Sequence, residues 1–139
     1  MKLVCYVDGS YSNQLKNFSY GVVVIEDGKV VSEESGIGND KEVALLRNVA
    51  GEVMGAIRAV EIAKENNYDE LDIFYDYKGI ECWALGTWKR NNNVTKGYHE
   101  YMQEAMKDIN ITFHKVKGHS GDEYNDKADR LAKNALGIK

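Results

Sequence analysis

The amino-acid sequence predicts an α/β fold in which a five-stranded mixed sheet is covered by helices. Two observations carry this. The first third alternates short hydrophobic runs with tight-turn residues, and the remainder alternates helix-spaced apolar residues with two further strand-like runs. Together they give the order β-β-β-α-β-α-α-β-α.

Leu3-Val4-Cys5-Tyr6-Val7 is a hydrophobic strand that runs straight into Asp8-Gly9-Ser10, so the Asp8 carboxylate is expected at the strand's carboxyl edge. Tyr11 to Ser19 is polar and reads as a loop. Tyr20-Gly21-Val22-Val23-Val24-Ile25 then has the β-branched content of a sheet interior. Asp27-Gly28 marks a tight hairpin, and a third strand runs from Lys29 to about Ile37, ended by Gly36, Gly38 and Asn39. These three strands form an antiparallel meander.

From about Lys41 to Asn66, Leu45, Val49, Val53, Ile57 and Val60 recur every three or four positions, which predicts one long helix. Glu52 lies one helical step from Gly55, Ala56, Ala59 and Ala63, a stripe of small residues that lets a helix approach a sheet closely. Leu71 to Asp76 is strand-like and again stops on an acid. Tyr77 to about Leu85 forms a short helix, Asn91-Asn92-Asn93 a polar loop, Gly97 to Lys107 another helix and Ile111 to Val116 the last strand. Gly118-His119-Ser120-Gly121 is a link to a closing helix, Tyr124 to Leu136, whose inner face includes Asn125, Asp129, Ala132 and Leu136. The fourth strand can pair beside the third or on the free side of the first. The second choice makes it parallel to the first and brings Asp8 and Asp76 to neighbouring carboxyl ends, where α/β sheets bind ligands. Periodicity does not choose between them.

With 139 residues, 43% of them hydrophobic, and no linker-like tract, the chain suits one domain spanning residues 1–139. No run is apolar enough to cross a bilayer and the start lacks a signal peptide's long hydrophobic region, so a cytoplasmic protein is expected. Cys5 and Cys82 are far apart and outside any paired spacing, which points to neither a zinc site nor a disulfide. A net charge of −4 argues against a nonspecific basic nucleic-acid coat. It leaves room for a local basic strip, because between Thr87 and Tyr98 the only charged residues are Lys89, Arg90 and Lys96.

Asp8, Glu52, Asp76 and Asp129 each stand in an apolar or small-residue setting. Taken singly, Asp8 is a turn residue, Asp76 a helix cap and Glu52 a helix acid in a tight place. Asp129 resists such an explanation, since Asp122, Glu123 and Asp126 already supply the acid expected in a helix's first turn. Two carboxylates about 4 Å apart repel by roughly 4 kcal/mol at an effective dielectric of about 20. Four converging ones therefore call for protons or hard divalent cations, and Mg²⁺ combines a few carboxylates with water and phosphate oxygens.

Asp8-Gly9-Ser10, then Asn48-Val49-Ala50-Gly51-Glu52, then Tyr75-Asp76-Tyr77, and finally Val116-Lys117-Gly118-His119-Ser120-Gly121 leading through Asn125 to Asp129-Arg130-Leu131-Ala132 resemble, in order, the motifs of type 1 ribonuclease H. The resemblance covers essentially the whole chain. It implies a ribonuclease H-like fold with strand order 3-2-1-4-5, and an endonuclease that hydrolyses the RNA strand of RNA·DNA hybrids to 5′-phosphate and 3′-hydroxyl ends. By it, Asp8, Glu52, Asp76 and Asp129 match the metal-binding acids for two Mg²⁺ ions, with Mn²⁺ able to substitute. His119 matches a mobile-loop histidine assigned to proton traffic or product release. Asn48 matches a position that reads the RNA strand in the minor groove, and Trp83, Trp88 and Lys89 resemble the elements that hold the DNA strand. The hybrid is the implied partner, with no membrane and no obligate protein partner, hence a monomer. His99 and His114 lack such matches and read as structural.

Three departures accompany the match. Val49 stands where relatives often carry a second amide, Tyr77 replaces a common Ser, and the loop from Leu85 to Lys96 is shorter than the basic handle of many bacterial relatives. Two other classes fit the sequence less well. A noncatalytic hybrid-binding module gives no reason to keep mutually repelling acids, and an actin-like ATPase half needs paired domains that this chain is too short to hold.

Overall fold

A computed structural model describes residues 1–38, 40–116 and 123–137, and the side chain of Asn48 falls outside the description. The five strands are β1 (Lys2–Ser12), β2 (Asn17–Glu26), β3 (Lys29–Ile37), β4 (Glu70–Tyr75) and β5 (Asn110–Lys115). They form one sheet in the order β3-β2-β1-β4-β5. β1 to β3 are antiparallel. β4 lies on the free side of β1, parallel to it from Lys2↔Glu70 to Tyr6↔Phe74, and β5 is parallel to β4. This is the arrangement that the family resemblance implied and that periodicity left open.

The period-two alternation of β1 sorts its side chains between two helical layers. Leu3, Cys5 and Val7 are buried in the main core with Val53, Ala56, Ala59, Val60 and Ala63 of α2 (Asn48–Glu65). On the other side, Val4 and Tyr6 pack with Val23, Ile25 and Ala128, the last from α5 (Glu123–Ala135). β2 is buried on both faces, which explains its unbroken β-branched run. The outer strand β3 is polar, and Arg58 of α2 pairs with its Glu34 at 2.8 Å while Lys127 of α5 pairs with its Glu33 at 2.9 Å. Charges on an edge strand oppose pairing with another chain. No helix among the described residues is long and apolar enough to cross a membrane.

Several predicted boundaries move. β1 does not end at Asp8: its pairing with β2 continues to Ser12↔Asn17, and only the parallel ladder with β4 stops, at Tyr6↔Phe74. Most of the expected Tyr11–Ser19 loop is therefore strand, and the turn is confined to residues 13–16. The single helix predicted from Lys41 to Asn66 is two. Asp40 accepts from the amides of Glu42 and Val43 and caps α1 (Lys41–Ala44), after which the chain turns through Arg47 at φ 57° before α2 begins. Leu45 accordingly points to solvent, 79% exposed, because apolar spacing carries across a break in the helix axis that periodicity cannot register. The short helix starts at Gly79, as α3 (Gly79–Leu85). The next, α4 (Asn93–Ala105), starts four residues before the predicted Gly97, because Asn92 caps it by accepting from the Thr95 amide. The asparagine run expected as loop thus includes a helix start. Asp27 and Gly28, at φ 52° and 78°, make the predicted hairpin turn.

Candidate active site

Asp8 shares the α5 side of the sheet with Tyr6 and lies two residues beyond the last β1–β4 pair. Asp76 directly follows Tyr75, the final residue of β4. Both acids therefore stand where the parallel ladder has run out and backbone no longer fills the gap between the strands. Glu52 arrives from α2 on the opposite face. It is only 3% exposed, and its Oε2 and Oε1 accept from the backbone amides of Asp76 (2.6 Å) and Tyr77 (3.0 Å). That pair of bonds ties α2 to the end of β4 and sets Glu52 against Asp76. Asp8 Oδ1 accepts from the Gly9 amide at 2.8 Å, and the Asp8 carboxyl hydrogen-bonds Asp129 of α5. Asp129 Oδ2 in turn meets Lys133 at 3.0 Å, one helical turn along. All four acids thus reach one end of the sheet, brought from four segments.

The close approach of α2 depends on glycine. A Cβ on Gly51 would collide with the Ser19 carbonyl oxygen and lie 2.7 Å from the Gly9 Cα, so only glycine lets the helix cross β1 and β2 there. Gly21 does the same for α5, since a Cβ would strike the Ala128 carbonyl oxygen and come within 2.9 Å of the Ala132 amide. The Ser19 hydroxyl donates to the Ala132 carbonyl nearby.

Burial, above all, pushes the Asp8 carboxyl up to about 7, with the charges of Asp129 and Asp76 adding to it and the Gly9 amide opposing. Burial likewise pushes Glu52 up to about 8, reinforced by Asp8 and Asp76 and opposed by the two amides it accepts from. An acid whose protonated form is favoured by folding costs nothing below its ordinary value near 4. It costs progressively more as pH rises through that value toward its folded one. The metal-free protein is therefore expected to lose thermal stability between about pH 4.5 and 8, and millimolar Mg²⁺ is expected to restore it at the upper end. Melting curves across that range, with and without the ion, check both signs.

Asp8, Glu52 and Asp76 line a pocket of about 360 Å³ together with Val49, Tyr77, Lys78 and Lys115. The acid donors are all hard oxygens, which suits Mg²⁺ or Mn²⁺ and not a soft metal. Among the described residues, no three His, Cys, Asp or Glu side chains are gathered into a ready-made cage. Glu52 is spent on backbone amides and Asp129 leans to Lys133. The fit is accordingly to an ion that takes one or two carboxylates and completes its shell with water and substrate oxygens.

The family model for RNase H matches residues 1–137. The chain belongs to the ribonuclease H family. It is 31% identical over 143 residues to the ribonuclease H of Acetivibrio thermocellus, an alignment covering 94% of this chain and 92% of that one. Among solved structures, the RNase H1 of Halobacterium salinarum shares the fold, with a TM-score of 0.81, 21% identity and 98% of each chain covered. So does LC11-RNase H1, solved in complex with an RNA/DNA hybrid, with a TM-score of 0.77, 20% identity and 96% of each chain covered.

The remaining predicted site residues of this ribonuclease H are spread around the acid pocket and beyond it. Asn48 opens α2, one turn before Glu52. Trp83 of α3 is half-buried against the core, and Trp88 is 36% exposed. Their rings meet edge-on at 6.1 Å, and each also meets Tyr77, at 5.8 and 6.1 Å, so the three make one aromatic corner beside the acid pocket. Lys89 lines a separate pocket of about 290 Å³ with Arg90, Asn91 and Lys96, which is the expected basic strip. His119 lies outside the described residues. His99 Nδ1 bonds the carbonyls of Trp83 and Ala84, and His114 stacks on Phe74 at 4.5 Å, in keeping with structural roles. Sequence reasoning passed over Gly51, Lys78 and Lys115, and saw Tyr77 only as a departure. The adjacency of Tyr77 and Lys78 to Asp76 was the available signal.

Proposed function

We propose that this ribonuclease H hydrolyses the RNA strand of RNA·DNA hybrids, leaving 5′-phosphate and 3′-hydroxyl ends. The observation that carries the reading is the convergence of Asp8, Glu52, Asp76 and Asp129 at the open end of the β1–β4 ladder, where burial and neighbouring charge hold the Asp8 and Glu52 carboxyls above their ordinary range. Two Mg²⁺ ions, or Mn²⁺ in their place, would supply Lewis acidity to the scissile phosphate and ease ionisation of the attacking water. Asp8 and Asp76, adjoining the pocket from neighbouring strands, are the acids that would hold the ions. Glu52 orients one side of the site through its hold on the Asp76 and Tyr77 amides. Asp129 closes the other side from α5.

Substrate recognition is assigned to three further groups. Asn48 reads the RNA strand in the minor groove, where the 2′-hydroxyl distinguishes it from DNA. Trp83, Trp88 and Lys89 hold the DNA strand, with Tyr77 completing the aromatic corner against which a sugar or base can pack. His119 serves proton traffic or product release. The protein is taken to act as a cytoplasmic monomer.

Incubation of hybrid, RNA duplex and DNA duplex with Mg²⁺ tests the reading. Preferential cutting of the hybrid's RNA strand is expected; hybrid binding without cleavage over long incubation would turn the protein into a binding module. The register of α5 is checked in the same assay. Asp129→Asn should lower the rate by about 10²-fold or more, and Asp126→Asn, three residues earlier and outside the contact with Asp8, should stay within about threefold. The reverse order would place the fourth acid wrongly.

A further inference from the structure

The acid pocket has a second character. Of the seven residues that line it, two are lysines, Lys78 and Lys115, both exposed, and they come from different elements. Lys115 is the last residue of β5 and pairs in register with Tyr75, the residue before Asp76. Lys78 lies two residues after Asp76, immediately before α3. The two cations thus bracket Asp76, one from the neighbouring strand and one from its own chain.

Neither lysine forms an ion pair among the described residues, although three carboxylates share the pocket with them. Two of these three acids have other commitments. Both Glu52 oxygens accept backbone amides, Asp8 is held by the Gly9 amide and Asp129, and Asp129 is met by Lys133. Lysines left unpaired at the mouth of an acidic cavity are available to an anion brought in from outside. Because the carboxylates favour bound cations and repel phosphate, such lysines also give the mouth a polarity that an all-acid pocket lacks.

We propose that Lys78 and Lys115 form a phosphate-binding rim that grips the RNA strand's phosphodiesters on the two sides of the scissile one. The inference rests on the nuclease reading for the identity of the strand, and adds the residues that seat it. A lysine engages phosphate as a point charge without reading sequence, so the rim contributes affinity and register and no base preference. It also supplies cations near the chemistry in a chain whose net charge is −4.

The test is a binding measurement on the Asp76→Asn protein, so that cleavage is not needed. Fluorescence anisotropy of a labelled hybrid is followed from about 50 to 200 mM KCl at fixed Mg²⁺ for that protein and for the same protein carrying Lys78→Gln, Lys115→Gln or both. Each loss is expected to weaken binding about 3- to 10-fold at the low-salt end and to reduce the slope of log affinity against log salt by roughly 0.7–0.9, one phosphate contact apiece. Lys115→Arg should keep the slope. Lys29→Gln, on the hairpin at the opposite end of the sheet, should leave it unchanged and so controls for loss of net charge.

Equal slopes in the glutamine variants and their parent would overturn the rim, as would a change of the same size in Lys29→Gln. Failure of the nuclease reading is seen separately, as a wild-type protein that binds hybrid with the expected salt slopes and does not cut it.

Discussion

Asp8→Asn is expected to lower hybrid cleavage by about 10³-fold or more, roughly 4 kcal/mol of transition-state stabilisation, while raising the melting temperature of the metal-free protein at pH 8. The two effects have one origin. Asp8 is held in a site that opposes its charge, by burial first and then by Asp129 and Asp76. A neutral amide of the same shape removes that opposition. It keeps an oxygen for the Gly9 amide and gains an N–H to donate to Asp129. A gain of about 1–3 kcal/mol at pH 8 follows, or very roughly 3–10 °C. The same change deletes an anionic oxygen that the proposed divalent ions would use, and activity is expected to fall accordingly. Melting curves at pH 5 and 8 and a single-turnover cleavage assay check the pair. At pH 5 the stability gain should shrink, because Asp8 is then already protonated in the fold. Lost activity together with lost stability at both pH values would mean that Asp8 serves the fold and not the ions.

Gly51→Ala is expected to be the most damaging glycine-to-alanine change among the described residues. The added Cβ meets backbone atoms, the Ser19 carbonyl group and the Gly9 Cα, which no rotamer change can move aside. Ordinary overpacking costs about 1–3 kcal/mol, and displacement of a helix from two strands exceeds it. A loss of about 3–5 kcal/mol and a fall of roughly 10–15 °C in melting temperature are expected. Gly55→Ala provides the comparison. Its Cβ would sit 3.1 Å from the Val7 Cβ, a contact that a small shift relieves, so its cost should stay near 1 kcal/mol. Calorimetry on both variants decides. If Gly51→Ala melts with the wild type, α2 does not depend on this crossing for its seat. Survivors of the substitution at low temperature should also bind Mg²⁺ less well, because Glu52 is the next residue.

The elements that bear the acids were legible in the sequence because each has a local signature. Asp8 and Asp76 follow apolar strand runs, Glu52 adjoins a small-residue stripe, and Asp129 sits on the inner face of an amphipathic helix whose first turn is already acidic. Their convergence was not local. It required β4 to pair with β1, which composition and period leave undecided and the family motifs imply. The misplaced boundaries have similar causes. Asp8 stands inside β1 because an antiparallel ladder outlasts the parallel one, and only pairing partners reveal that. The α1–α2 break hides behind unbroken apolar spacing at Leu45 and Val49, and the caps Asp40 and Asn92 were passed over. Gly51 passed as an ordinary helix residue, since its role is fixed by Ser19 and Gly9, distant in sequence. Lys78 and Lys115 became neighbours of the site only when β5 took its place beside β4.

Glu52 reaches the acid cluster from one side of the sheet and Asp129 from the other, each on a helix seated by a glycine contact. A chain in which either helix has yet to dock holds an incomplete set of oxygens. On the proposed reading, competence to cut nucleic acid therefore waits on the docking of both helices, one on each face of the sheet.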